Sequence, residues 1–86
     1  MYLNKNILDI DANQIKLMLF IKEWANEKKI TIPQKEIVKY GLSIGIKNYN
    51  IIYSIHALVA KGYIRKVYSE QQNRTFYVQC RNISSE

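Results

Sequence analysis

The stretch from Lys47 to Ile64, KNYNIIYSIHALVAKGYI, restricts the fold of this chain more than any other. Ile51, Ile55, Leu58 and Val59 recur at helical spacing and Ile52 widens their stripe, so the segment reads as an amphipathic helix with one face committed to a core. Asn50, Tyr53, Ser54, Ala57 and Lys61 fall towards the other side. Gly62 suits the left-handed position just past a helix end, where a residue with a side chain is strained. The β-prone run that starts at Tyr63 then follows without a linker. A long helix that turns at a glycine directly into a strand points to an α+β fold.

The chain has 86 residues, 48% of them hydrophobic, which is enough for one domain with a small core. Thirteen basic residues outweigh seven acidic ones, for a net charge of +6. The distribution says more than the total. Asp9, Asp11, Glu23, Glu27 and Glu36 lie early, and no acid occurs between Glu36 and Glu70, where Lys39, Lys47, Lys61, Arg65 and Lys66 stand. A segment of one sign suits a polyanion, because neutralising phosphates releases counterions. The competing explanation is a solvated lysine-rich surface. With a polar and aromatic free face, the Lys47–Ile64 helix is a candidate reader of nucleic acid. The lone cysteine, Cys80, excludes an internal disulfide and fits a reducing compartment. The start of the chain lacks a basic region followed by a long apolar run. The most apolar helix, around Ile15 to Ala25, is broken by Lys16, Lys22 and Glu23, and is too short and too charged to span a bilayer. The expectation is a cytoplasmic protein with no membrane contact.

In chain order, residues 1–10 read as an N-terminal arm, 11–81 as the domain and 82–86 as a polar tail. The arm is apolar at Tyr2, Leu3, Ile7, Leu8 and Ile10, and such an arm frays unless it is tied down against the body or a second subunit. Asp11 and Gln14 have capping-box spacing. The first helix then runs to Lys28 or Lys29. Ile15, Met18, Leu19 and Ala25 make one stripe, and Leu17, Phe20, Ile21 and Trp24 another, so the helix is central to a core or is shared between a core and a dimer interface. Ile30-Thr31-Ile32 reads as a one-rung strand before Pro33, which takes the first position of a second helix. Gly41 ends that helix near Tyr40, and the Gly41–Gly45 turn uses two glycines for positive φ. The third helix begins between Gly45 and Asn48. Beyond Gly62, Tyr63–Tyr68 and Arg74–Arg81 read as a β-hairpin around the polar turn Glu70–Asn73.

Three segments carry a resemblance to a known superfamily. Pro33-Gln34-Lys35-Glu36-Ile37-Val38 looks like the start of the positioning helix in MarR-type and PadR-type regulators. Leu58-Val59-Ala60-Lys61-Gly62-Tyr63-Ile64 closely resembles the join between recognition helix and wing in the same superfamily, and Arg74-Thr75-Phe76-Tyr77-Val78 resembles the returning wing strand. The resemblance covers roughly residues 12 to 80 and is to the winged helix-turn-helix superfamily rather than to one of its families. It implies an α+β fold of three helices with a C-terminal β-hairpin wing. It also implies binding to double-stranded DNA, with the third helix in the major groove and the wing on the backbone or minor groove. The segment from Gly41 to Ile51 departs from the pattern by being several residues longer than the usual turn: either the turn is an extended loop or the recognition helix begins early.

The outward face of the third helix has no arginine, the commonest reader of guanine. Asn48 and Asn50 have the side chains that read adenine, and Tyr49 and Tyr53 suit thymine methyls, sugars or phosphates. Together they predict a preference for AT-rich DNA. Ser43 and Lys47 suit a phosphate at the helix start, where the dipole is positive. Ser54 and Lys61 share the polar side. In the hairpin, Arg65, Lys66 and Arg74 suit phosphate contacts, with Gln72 and Asn73 at the tip; the same cations would also blunt a sheet edge. A homodimer on a pseudo-palindrome follows from the superfamily's habit, and the first helix with the N-terminal arm is its expected surface. His56 is isolated, Cys80 reads as a small apolar filler, and Trp24 reads as core. No ligand set for a metal, no catalytic arrangement and no Gly-rich phosphate loop has suitable spacing, so neither enzyme activity nor a cofactor is expected. Besides transcription regulation, two readings stay open: the DNA-binding part of a plasmid replication initiator or partition factor, and a winged helix whose exposed Ile44, Ile46, Tyr49 and Tyr53 bind protein.

Overall fold

The computed structural model describes residues 10–80; expectations for residues 1–9 of the arm, for Arg81 and for the tail lie outside the described residues. Three helices and three strands follow one another as α1 (Ala12–Glu27), β1 (Thr31–Pro33), α2 (Gln34–Ser43), α3 (Asn48–Ala60), β2 (Ile64–Ser69) and β3 (Arg74–Gln79). This is the α+β winged helix-turn-helix, with a hairpin of β2 and β3.

The capping box at the start of α1 is formed as its spacing predicts. The Gln14 backbone N–H donates to Asp11 Oδ1 at 2.9 Å, and Gln14 Oε1 accepts from the Asp11 backbone N–H at 3.4 Å. The helix buries Gln14, Leu17, Met18 and Ile21, one stripe at i, i+3, i+4 and i+7. Ile15, Phe20 and Trp24 pack beside it half-buried, so the two predicted stripes merge into one broad core face from which only Leu19 stands out exposed. Against the stripe pack Ile37 from α2, and Ile51, Ile55 and Leu58 from α3, with Ile32, Tyr63, Ile64 and Tyr77 closing the core from the sheet side.

The sheet is antiparallel in the order β1-β3-β2. Ile32 pairs with Tyr77 on one side of β3, and Val67 pairs with Phe76 on the other. The short run before Pro33 is thus the third strand of the wing sheet. Pro33 stands at the N-cap of α2 (φ −65°, ψ 143°) rather than inside the helix.

Two glycines end two helices in the same way. After α3, the Tyr63 N–H donates to Leu58 O and the Gly62 N–H to Val59 O, with Gly62 at φ 82°. After α2, the Ile46 N–H donates to Gly41 O and the Gly45 N–H to Leu42 O, with Gly45 at φ 92°. Both are Schellman closures, and both bury the residue after the glycine, Tyr63 and Ile46. The expected function of Gly62 is therefore realised, while that of Gly41 is corrected. Gly41 does not end α2; it lies buried inside it, and a Cβ there would sit 2.6 Å from Ile51 Cδ1. It is a close-approach glycine that lets α3 cross tightly over α2. The long Gly41–Ile51 segment is accounted for by α2 reaching Ser43. The turn proper, 44–47, is neither an extended loop nor an early start of α3.

Candidate nucleic-acid interface

The N-terminal half of α3 buries Ile51 and Ser54 and leaves its other side exposed. Tyr49 and Tyr53, one helical turn apart, are 67% and 66% exposed. Asn48 is exposed beside them and Asn50 is half-buried. From Asn48 to Ala60 the helix has no Asp, Glu, Lys or Arg, so its exposed face carries none of these charges. Charge comes from its flanks. Lys47, at the N-cap, is exposed and makes no side-chain cap bond. The first N–H groups of α3 thus lack a side-chain acceptor, which leaves the positive end of the helix dipole open to a phosphate oxygen. Ser43, exposed across the turn, donates its hydroxyl to Tyr40 O at 2.6 Å and keeps oxygen lone pairs as acceptors.

The wing supplies the second group. Arg65 and Lys66 point to opposite faces of β2, and both reach solvent, as does Arg74. The tip is a built turn. Asn73 takes φ 53°, its Oδ1 accepts from the Tyr68 hydroxyl, and the Gln72 N–H donates to Ser69 Oγ at 3.3 Å. Asn73 is exposed, but its carbonyl is committed to holding the turn. Gln72 is exposed at the tip.

Ser54 does not belong to this surface. It is 2% exposed, and the face of α3 that is buried consists of Ile51, Ser54, Ile55 and Leu58. A polar residue at i+3 from Ile51 faces the core whatever its chemistry. Lys61 is half-buried at the other end of α3, where its Nζ donates to Gln14 Oε1 at 3.2 Å. It ties the end of α3 to the capping box of α1, away from the N-terminal half of α3. Ile46, expected to be exposed, is buried by the helix closure after Gly45, and Cys80, expected to fill an apolar gap, is exposed just past β3.

Two exposed apolar residues on this surface escaped the sequence reading. Leu42 sits at the end of α2, beside the turn into α3, and Tyr68 stands on the wing. Alternation along β2 was the available signal for Tyr68, since it shares a face with Lys66. Among the described residues no three of His, Cys, Asp and Glu come together as a metal site, and no helix is long and apolar enough to cross a membrane.

The family model for the transcriptional regulator SarA/Rot matches residues 3–86, nearly the whole chain. The chain belongs to the SarA/Rot family. It is a winged-helix, DNA-binding transcriptional regulator. Among the readings that the sequence left open, membership selects transcription regulation; the family is not one of enzymes. Neither the comparison with curated proteins nor that with solved structures produced a match.

Proposed function

We propose that this SarA/Rot regulator reads duplex DNA with the N-terminal half of α3 in the major groove and steadies itself with the wing on the backbone or minor groove. The observation that carries this reading is the pair Tyr49 and Tyr53, exposed one turn apart on a helix without charge and flanked by Lys47 and a cationic hairpin. Asn48 and Asn50 flank Tyr49 as adenine readers, and the tyrosines suit thymine methyls or the sugar-phosphate edge. Ser43 and Lys47 hold a phosphate at the α3 N-terminus. Arg65, Lys66, Arg74 and Gln72 contact the backbone, with Asn73 shaping the wing tip. The favoured site is an AT-rich pseudo-palindrome, bound in the cytoplasm by a homodimer.

Selection of bound sequences from a random duplex pool tests this directly. The expected product is an AT-rich inverted repeat, bound with an affinity that falls steeply with salt at a slope of about −0.9 per phosphate neutralised. Equal affinity for GC-rich and AT-rich duplexes would refute the base-reading assignment. A flat salt response would refute the backbone contacts.

A further inference from the structure

A cleft of about 490 Å³ opens away from α3, between the C-terminal end of α1, β1 and the hairpin. Its volume lies within the range of small-molecule sites. Trp24, Val67 and Phe76 form its apolar walls, and Lys28, Lys29 and Arg74 also line it, with no acidic residue among the lining side chains. The fold brings these together from three separate elements. Val67 pairs with Phe76 across the hairpin, so both lie on one face of the sheet, and Phe76 also pairs with Pro33 of β1. Trp24 is held at the edge of that face by its indole N–H, which donates to Thr31 O at 3.2 Å, and Lys28 Nζ lies 4.7 Å from the centre of its ring.

We infer that this cleft binds a small aromatic phosphate of the size of a mononucleotide. A purely apolar ligand would make no use of the three exposed cations at the cleft, whereas a bare inorganic anion would make no use of the tryptophan and phenylalanine walls. An aromatic ring with a dianionic phosphate matches both halves: the ring packs against Phe76 and the part of Trp24 that Lys28 leaves uncovered, and the phosphate lies among the lysines and the arginine. Arg74 also belongs to the wing. A ligand that engages Arg74 withdraws it from the DNA backbone, so the occupied cleft weakens duplex binding. That second step rests on the proposed use of the wing; ligand binding itself does not.

Trp24 is the single tryptophan, so both its fluorescence and its one indole N–H resonance report on this cleft alone. The test titrates the full-length protein, without DNA, with AMP, with adenosine and with inorganic phosphate. AMP should quench Trp24 saturably and shift its indole resonance, while adenosine and phosphate each bind about tenfold more weakly or worse. The K28Q/K29Q variant should keep the wild-type unfolding midpoint, shift the unliganded Trp24 signal because Lys28 leaves the indole ring, and lose about tenfold in AMP affinity. No saturation by millimolar AMP would overturn the site. An equal response to adenosine would overturn the role of the cations, and an equal response to phosphate that of the ring. Saturating AMP should then lower duplex affinity; unchanged duplex affinity with AMP bound would overturn the coupling.

Discussion

At the scale of single residues, two buried positions set the geometry on which the interface depends. Gly41 is the contact point of α2 and α3, and an alanine there would bring its Cβ within 2.6 Å of Ile51 Cδ1 and 2.7 Å of Cγ1. Ile51 is fully buried and β-branched, so it has little room to turn away. Overpacking of this kind costs about 1–3 kcal/mol, against which alanine regains up to about 1 kcal/mol of helix propensity. Gly41→Ala should therefore be net destabilising in urea unfolding. Combined with Ile51→Ala it should cost less than the sum of the single changes, as a double-mutant cycle would show. Additive effects would mean that the two residues do not press on each other. Tyr77 behaves differently. Its hydroxyl donates to Gln34 Oε1 at 3.0 Å, and burial raises its pKa above the ordinary 10.0. The folded state thus holds this proton more tightly than the unfolded state does. The contribution to stability is complete below the unfolded value and is lost as pH rises through the folded one. Tyr77→Phe should cost about 1 kcal/mol near neutrality through the lost hydrogen bond. It should also show a smaller further loss than the wild type as pH rises above about 10. Parallel losses in the two proteins would rule out a titrating Tyr77.

At the scale of elements, α3 has a buried face and an exposed one, and substitutions should separate packing from the proposed reading of DNA. Tyr49 and Tyr53 are mostly exposed, so Tyr49→Ala and Tyr53→Ala should change folding stability by no more than about 0.5 kcal/mol. Each should nevertheless weaken binding to the selected duplex by about 1–3 kcal/mol, and relax the base preference at its own position. Lys47→Ala should instead weaken all duplexes alike and reduce the salt slope by about 1. A loss of stability without a change in base preference would return the tyrosines to a structural role. The same division explains what could be read from the amino-acid string. Local signals were legible: the Asp11–Gln14 cap, the Gly62 closure and the hairpin each depend on neighbours within a few residues. Three features were not, because partners distant in sequence decide them. Gly41 reads locally as a helix breaker, and only the approach of Ile51 shows that it is a spacer. Ser54 reads as polar and outward until the buried face of α3 is fixed by packing on α1 and α2. Ile30-Thr31-Ile32 shows only β propensity, and its pairing with β3, more than forty residues on in register (Thr31 with Val78), makes it a strand of the wing sheet.

At the scale of the whole molecule, the remaining question is how so small a reader distinguishes one site among many. A single recognition helix contacts few base pairs, whereas two-fold pairing doubles the site length and places two α3 helices about 34 Å apart, one turn of duplex. We propose the outward side of α1 as the surface for that pairing. Leu19 is 51% exposed there and borders a shallow hollow with Lys22, Glu23 and Asn26. In the proposed dimer Leu19 would be the apolar centre of the contact and these polar side chains its rim. Because Leu19 lies off the buried stripe of α1, Leu19→Glu should leave the unfolding free energy of the monomer within about 0.5 kcal/mol of wild type. It should place a like-charged pair where two copies meet across the two-fold axis. Sedimentation should then show a dimer for the wild type and a monomer for Leu19→Glu. The variant should keep its affinity for an isolated half-site while losing the gain from joining two half-sites at one-turn spacing. A Leu19→Glu protein that sediments as a dimer would move the interface elsewhere. A wild type that stays monomeric on a full inverted repeat would remove the dimer, and with it the expectation that the preferred site is palindromic.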